Sequence, residues 1–275
     1  MRVHLVHVTR LEYTADVVEG VMDVRVGPRT DADQRVERFV LNVQPAAAVR
    51  RYADGFGNYA HLITISRPHR TLELTVESDV HTTLEDPFAL PARPPDPLTP
   101  GELSDYLLPS PLVPLHSELL ALAEPCRPAS PEATFDAVSA LSSLVHRTFA
   151  YTRHVTTVQT TVADVLAHRT GVCQDFAHVL IGLCRSIGVP ARYVSGYTVA
   201  DTHGDGPEAS HAWVEAFTPT HGWRGFDPTN DLAASTAHIK MAIGRDYADV
   251  PPTRGTFRGV AAERLSVRVD SSVVS

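Results

Sequence analysis

A proline-rich segment between residues 86 and 131 divides this chain into two parts and limits its possible folds more than any other feature. The chain has 275 residues and 21 prolines, and most of the prolines fall in or near this segment. Proline fixes one backbone torsion angle and lacks an N–H donor, so closely spaced prolines disfavour long helices and strands. We therefore predict a linker over residues 83–130 that runs over the surface of the second part, with one short helix at 117–123.

The first part, residues 1–82, has the alternating pattern of half-buried strands. Leu72, Leu74 and Val76 alternate with polar residues at positions 71, 73, 75 and 77. An alternation of period two places the apolar side chains on one face of a strand. Similar short segments occur at residues 2–13, 18–26, 35–43 and 58–66. This spacing predicts a small antiparallel β-sandwich.

The second part, residues 131–275, mixes helical and strand patterns, which predicts the α+β class. Ser130 followed by Pro131 is typical of a helix start, because serine caps the free N–H groups and proline suits the first helical position. The apolar spacing that follows predicts a helix to about residue 149, and a second short helix is predicted at 162–168.

The composition excludes several classes of protein. Hydrophobic residues make up 43% and charged residues 20%, which is typical of a folded chain. The net charge of −8 argues against non-specific nucleic-acid binding. No apolar run reaches about 18 residues, so we expect no membrane span or membrane partner, and residues 1–7 lack the pattern of a signal peptide.

The cysteine and histidine patterns indicate a reduced protein without a metal site. The three cysteines lack CxxC spacing and cannot all pair, which favours a cytoplasmic location. The 14 histidines are scattered and show no HxxxH or HExxH spacing. We therefore predict that no structural metal is bound.

Residues 170–190 have the pattern of one helix with clear ends. An apolar stripe recurs at helical spacing, and Gly188 and Pro190 are typical of a helix end. Gly171 allows a tight approach of the backbone and leaves Cys173 in the first helical turn. The positive end of the helix dipole and its free N–H groups favour a thiolate and can stabilise an oxyanion. The alternative is that Cys173 is simply a small buried residue, as we expect for Cys184.

Residues 210–217 and 223–227 read as two strands joined by a turn at 218–222, so they must be antiparallel. If Phe217 faces Trp223, His211 is the diagonal neighbour of Asp227, and a shift of two residues would place them directly opposite. In both registers the two side chains lie on the same face. A carboxylate there can hold one imidazole nitrogen and leave the other for a thiol. The alternative is a surface hairpin with a chance histidine and aspartate.

Three segments of this part resemble the signature blocks of the bacterial transglutaminase-like superfamily. They are Gly-Val-Cys-Gln-Asp-Phe-Ala at 171–177, Ser-His-Ala-Trp-Val-Glu at 210–215, and Gly-Trp-Arg-Gly-Phe-Asp-Pro-Thr-Asn at 222–230. Residues 244–252 look like the closing loop of the family, and the N-terminal strands look like the small β domain that often precedes the core. The resemblance implies a papain-like transglutaminase core preceded by a small antiparallel β-sandwich.

The resemblance also implies roles for three residues: Cys173 as nucleophile, His211 as general base and then acid, and Asp227 as the carboxylate that orients His211. The implied reaction is attack on an amide carbonyl, loss of an amine or ammonia, and resolution of a thioester. Water as acceptor gives hydrolysis of a peptide or protein substrate, and an amine as acceptor gives cross-linking. No metal or organic cofactor is implied, and the oligomeric state stays open.

Two departures from the family favour hydrolysis over cross-linking. Animal transglutaminases use a tryptophan upstream of the cysteine to stabilise the oxyanion, whereas the tryptophans here are Trp213 and Trp223. The acidic residues at 201–205 are too sparse for the calcium loops of calcium-dependent members. A further alternative, from another class, is an inactive scaffold that only binds a protein or peptide.

The remaining candidates surround the three implied catalytic residues. Trp213 shares the face of His211 and Asp227 and is predicted to shield their hydrogen bond. We expect either Tyr193 or Tyr197 to line the cleft, and we take Trp213 and Tyr197 as candidate substrate contacts. Two residues near the nucleophile are predicted to be structural, Asp175 as a helix cap and His178 as a buried histidine. Residues 199–209 are predicted to form a rim beside His211.

Overall fold

Five α-helices and fifteen β-strands form the part of the chain that the computed structural model describes, residues 1–199 and 210–274. The helices are α1 (Pro100–Leu107), α2 (Ser117–Ala123), α3 (Thr134–Thr148), α4 (Val162–His168) and α5 (Cys173–Ser186). The strands are β1 (Arg2–Val17), β2 (Glu19–Val24), β3 (Gln34–Gln44), β4 (Ala48–Ala53), β5 (Tyr59–Ile65), β6 (His69–Thr82), β7 (Ala150–Tyr151), β8 (Thr170–Gly171), β9 (Ala191–Thr198), β10 (His211–Thr218), β11 (Gly222–Asp227), β12 (Leu232–Ala233), β13 (His238–Gly244), β14 (Thr253–Arg258) and β15 (Glu263–Val274). None of the helices in these residues is long and apolar enough to cross a membrane.

The N-terminal part is a sandwich of two four-stranded antiparallel sheets, which confirms the predicted architecture. The sheet orders are β15-β1-β6-β3 and β14-β2-β5-β4. Leu72, Leu74 and Val76 of β6 face inward and are fully buried, as their alternation with polar residues predicts. The inner faces of both sheets therefore form one apolar core.

The two last strands of the chain return to this sandwich. Strand β15 pairs with β1 over most of its length, and β14 pairs with β2. The second part, expected to span residues 131–275, therefore ends before β14. The reason is that both sandwich sheets have an edge strand contributed by the C-terminal segment. Neither strand was predicted, and sequence patterns do not show which distant strands pair.

The second part places α5 against a five-stranded antiparallel sheet with the order β12-β11-β10-β9-β13. Ala212, Val214 and Ala216 of β10 lie on the face that packs against this helix. Almost every residue of α5 is buried, because α2, α3 and α4 cover its other sides. Helices α2 and α4 have the predicted bounds, and a 3₁₀ turn (Pro131–Ala133) precedes α3.

The linker holds more regular structure than its prolines predict. Helix α1 begins at Pro100, and Thr99 caps it together with Glu102. Proline is tolerated there because the first helical N–H has no acceptor within the helix. The linker contacts the second part at α5, where the buried Arg185 donates to the carbonyl oxygens of Tyr106 and Leu108.

Two carboxamide side chains of the sandwich bind the free edge of strand β13. The Gln34 carboxamide donates to the carbonyl oxygen of Lys240 at 2.7 Å and accepts from its N–H at 2.9 Å. The Asn58 carboxamide does the same at Ile243, with both distances 2.8 Å. A carboxamide carries a donor group and an acceptor group side by side. Each of these two side chains therefore bonds to β13 as a neighbouring strand would. These bonds fix β13 against the N-terminal part.

A buried group of charges strengthens the same junction. The Lys240 ammonium lies 2.9 Å from the Glu215 carboxylate of β10 and 2.5 Å from the Asp31 carboxylate of the sandwich. Arg192 of β9 also pairs with Glu215, at 2.7 Å. Burial disfavours the Glu215 carboxylate, but Lys240 and Arg192 outweigh burial and lower the pKa of Glu215 to about 2.

We predict that Asn58→Ala lowers the free energy of unfolding by about 3 kcal/mol, because the N–H and carbonyl of Ile243 lose their partner in a buried place. Asn42→Ala is the matched control, since Asn42 is an exposed asparagine on β3. We expect it to change stability by less than about 0.5 kcal/mol. Urea unfolding followed by fluorescence measures both. Equal stability of the two variants would contradict this account of the junction.

A second prediction concerns the stability of the folded protein at acidic pH. Because the pKa of Glu215 is lowered from 4.5 to about 2 in the folded state, its stabilisation is present above pH 4.5 and is lost as the pH falls toward 2. Over this window the wild type should lose on the order of 3 kcal/mol through Glu215. Urea unfolding at several pH values should show a shallower decline for Glu215→Gln. The control Glu19→Gln removes an exposed carboxylate and should follow the wild-type curve.

Candidate active site

Cys173 is the first residue of α5, so its thiol lies at the positive end of that helix. The Asp175 carboxylate reaches back to accept from the N–H of Val172 at 2.8 Å and from the Thr156 hydroxyl at 2.7 Å. A Cβ atom on Gly171 would lie 2.6 Å from that of Asp175, so this turn needs glycine. Burial raises the pKa of Asp175. The structure thus gives Asp175 the capping role predicted for it.

His211 stands at the beginning of β10, and its imidazole is held by Asp227 at the end of β11. The Nε2 atom of His211 lies 2.7 Å from Oδ2 of Asp227, and both side chains are buried. Phe217 pairs with Trp223 in the ladder of the two strands. His211 and Asp227 are therefore diagonal neighbours, which is the first of the two predicted registers.

The Asp227 carboxylate accepts five hydrogen bonds. Oδ1 accepts from the backbone N–H groups of Thr229 and Asn230, at 3.0 and 3.2 Å. Oδ2 is shared by the side chains of His211, Asn230 and His238. Burial favours the protonated acid, but the hydrogen bonds and the charge of His211 outweigh burial and hold the pKa of Asp227 well below its usual range. The group is an anion at any physiological pH.

The second nitrogen of His211 is not engaged by Asp227. Because Nε2 contacts Asp227, Nδ1 is the nitrogen left for the neighbouring Cys173. Burial disfavours the imidazolium, but the hydrogen bond to Asp227 and the proximity of Cys173 outweigh burial and raise the pKa of His211 to about 10. A thiol and a proton-carrying imidazole in this arrangement can attack a carbonyl carbon and then protonate the leaving group.

Trp213 covers the His211–Asp227 hydrogen bond, as its position on the same face predicts. Its ring stacks on that of His211 with 6.1 Å between centroids and 26° between planes. Glycines on both neighbouring strands make room for it, since a Cβ on Gly196 or Gly225 would lie 2.4 or 3.3 Å from the indole. Only 1% of Trp213 is exposed, so it is placed to shield the hydrogen bond and not to make the predicted substrate contact.

Tyr197 lies at the junction with the sandwich and not beside the thiol. Its hydroxyl is 2.5 Å from Nδ1 of His7, and the side chain is 5% exposed within an apolar cluster of both parts. This placement gives Tyr197 a packing role in place of the predicted substrate contact, because its ring is enclosed by the N-terminal strands. Of the two tyrosines considered, it is Tyr193 that lies near Cys173, and burial raises the pKa of Tyr193.

Two other predicted features can be located. His178 is fully buried on α5, and its Nε2 accepts from the N–H of Tyr247 at 3.1 Å, so it is structural as predicted. Burial lowers the pKa of His178 to about 4. The predicted rim at 199–209, together with the acidic positions at 201–205, lies outside the described residues apart from residue 199.

One atom each of His211, Asp227 and His238 lies within 4.8 Å of the other two, which is close enough for a shared cation. These atoms already bond to one another at 2.7 and 3.4 Å, so internal hydrogen bonds account for the group. The absence of a metal site stays a prediction.

His238 and Asn230 were missed as site residues because their contact with Asp227 depends on strand order and a turn. Asn230 falls within the third signature block, which was the available signal.

The chain matches known families and proteins along most of its length. Residues 121–228 match the transglutaminase-like superfamily, and residues 3–81 match the bacterial transglutaminase-like N-terminal region. An uncharacterized protein of Mycobacterium leprae (strain TN) is 31% identical over 284 residues, 98% of each chain. A protein-glutamine gamma-glutamyltransferase of Pseudomonas aeruginosa is 31% identical over 153 residues, which are 51% of this chain and 23% of that protein.

One solved structure is similar over the whole chain. It is that of a Cytophaga hutchinsonii protein proposed to be a cysteine protease, with a TM-score of 0.76 and 23% sequence identity. The match covers 100% of this chain and 93% of that one. At this level of identity the likeness establishes a shared fold.

The geometry predicts that iodoacetamide alkylates Cys173 at least about tenfold faster than Cys126 or Cys184 at pH 7. Cys184 is buried and its pKa is raised to about 12 by burial, so it should be nearly inert. The partly exposed Cys126 is the internal control for access. Mass spectrometry of the three peptides gives the rates. The Cys173 rate should fall in acid and in His211→Ala. Equally slow labelling of all three thiols would contradict the proposed thiolate.

Proposed function

This chain belongs to the transglutaminase-like superfamily, and from that premise we propose that it is a cysteine hydrolase acting on peptide or glutamine amide bonds. Cys173 would be the nucleophile, His211 the general base and acid, and Asp227 the group that orients His211. The observation that carries this proposal is the 2.7 Å contact between Nε2 of His211 and the buried Asp227 carboxylate, which leaves Nδ1 for Cys173 at the start of α5.

In the proposed reaction the Cys173 thiolate attacks the amide carbonyl carbon, and the carbonyl oxygen becomes an oxyanion. The first N–H groups of a helix have no acceptor within it, so those at the start of α5 can donate to that oxygen. The His211 imidazolium then gives its proton to the leaving nitrogen, and an amine or ammonia departs from a thioester. Neutral His211 next takes a proton from water, whose oxygen attacks the thioester and releases the acid.

Transfer to an amine is the second candidate, because the two reactions share every step up to the thioester. The similarity to a named gamma-glutamyltransferase supports it, although the matched region is 23% of that protein. Hydrolysis is favoured because the family's upstream tryptophan has no counterpart here and the acidic positions at 201–205 are sparse. In both cases Asp227 would keep His211 in the tautomer that presents Nδ1 to the thiol.

We predict that the wild type releases ammonia from a glutamine-containing peptide, or new termini from unfolded casein. Cys173→Ala should lower either rate by on the order of 10³-fold or more. Cys126→Ala is the matched control, because it removes a partly exposed thiol far along the chain from the helix start, and it should retain activity. Amine-reactive labelling for new termini and a coupled ammonia assay measure the products.

Adding a fluorescent primary amine separates the two candidates. Hydrolysis predicts that ammonia release or cleavage continues with little amine incorporated. Stable incorporation of the amine into the glutamine peptide would favour the transferase instead. If wild-type protein with a reactive Cys173 gives none of these products, the proposed hydrolase activity is wrong, and the scaffold interpretation is tested next by peptide binding to Cys173→Ala.

A further inference from the structure

A second imidazole contacts the buried carboxylate of the site. The Nε2 atom of His238 lies 3.4 Å from Oδ2 of Asp227, the same oxygen that lies 2.7 Å from Nε2 of His211. His238 is 7% exposed and Asp227 is fully buried. Neither the three signature blocks nor the proposed hydrolysis of an amide assigns any role to His238.

The surroundings of His238 fix which nitrogen carries its proton. The backbone N–H of Ser235 points at Nδ1 of His238, at 3.3 Å. A backbone N–H can only donate, so Nδ1 accepts and, in the neutral ring, Nε2 carries the hydrogen. His238 therefore donates to Asp227 without needing a positive charge. The edge of its ring also meets Trp213, with 5.1 Å between centroids and 75° between planes.

The backbone that carries His238 is held on both sides. His238 begins β13 and pairs with Thr198 of β9. Two residues later, the N–H and carbonyl of Lys240 are both bound by the Gln34 carboxamide. The donor thus reaches Asp227 from a strand whose position is set by the sheet and by the sandwich.

We propose that His238 is a positioning residue for the cysteine chemistry: its Nε2–H holds the Asp227 carboxylate in the orientation that directs His211 toward Cys173. The inference rests on the proposed function of this site. The turn after β11 supplies donors to both oxygens of Asp227, the backbone N–H groups of Thr229 and Asn230 at Oδ1 and the Asn230 amide at Oδ2. His238 adds a donor to Oδ2 from β13, a separate strand, and so restrains rotation of the carboxylate independently of that turn. Loss of that support would leave His211 less well directed toward Cys173 and lower the reactivity of the thiol.

The test uses His238→Phe, which keeps an aromatic ring against Trp213 and removes the donor, and His238→Gln, whose amide can still donate. The readouts are the alkylation rate of Cys173 at pH 7 and, on the peptide turned over by the wild type, kcat and KM separately. We expect His238→Phe to lower the alkylation rate and kcat on the order of tenfold with KM unchanged. His238→Gln should recover most of both.

His61→Phe is the matched control. His61 is as buried as His238, stacks on Phe39 in the sandwich, and lies in a different core, so its replacement should leave Cys173 reactivity unchanged. Thermal unfolding of each variant checks the fold. Wild-type alkylation and kcat in a folded His238→Phe would overturn the inference, as would a His238→Gln variant no better than His238→Phe.

A double-mutant cycle decides whether His238 acts through Asp227. If it does, His238→Phe should add little to the loss of alkylation rate already caused by Asp227→Asn, whereas independent effects would multiply and overturn the inference. Alkylation needs no substrate. If the wild type shows a reactive Cys173 but no turnover, the hydrolase proposal fails while the cycle still decides the role of His238.

Discussion

The site depends on one buried anion, the carboxylate of Asp227. A carboxylate removed from water is costly unless it is hydrogen-bonded, and here five donors replace its hydration. These donors come from β10, from the turn after β11 and from β13, so the anion is satisfied only when the strands have their native order. The geometry of His211 follows from that order, because Asp227 is the group that engages its Nε2 atom.

The sandwich also contributes to this order. Strand β13 is an edge strand, and an unpaired edge can shift or pair elsewhere. Gln34 and Asn58 close that edge from the sandwich, while the Lys240–Glu215 pair connects it to β10. Because β14 and β15 return to the sandwich, both ends of the chain belong to the N-terminal part. The N-terminal part therefore helps to fix the position of the strands that carry the site.

Local sequence patterns predicted the features that depend on residues close together in the chain. Alternation gave the sandwich strands β1, β2, β3, β5 and β6. It did not give β14, β15 or β4, whose Arg50 and Arg51 hide any alternation on an exposed edge. Helix caps and glycines gave α5 and the place of Cys173, and strand parity gave the shared face of His211 and Asp227. Contacts between distant segments were out of reach: the return of β14 and β15, the burial of Tyr197 against His7, and the bond from His238 to Asp227. Each of these depends on which strands become neighbours, and residue periodicity carries no such information.

In the proposed reaction, the groups that activate the thiol differ from those that select water or an amine as the acceptor. In the proposed reaction, the reactivity of Cys173 comes from its position at the start of α5 and from His211, whose pKa Asp227 and the neighbouring Cys173 raise to about 10. In the proposed reaction these groups form the thioester, and His211 would then take a proton from water or from an amine in the same way, so they serve hydrolysis and transfer equally. The choice between water and an amine is made when the second nucleophile approaches the thioester. It must therefore be controlled by the residues that surround the thiol and limit access to it, and not by the Cys–His–Asp arrangement.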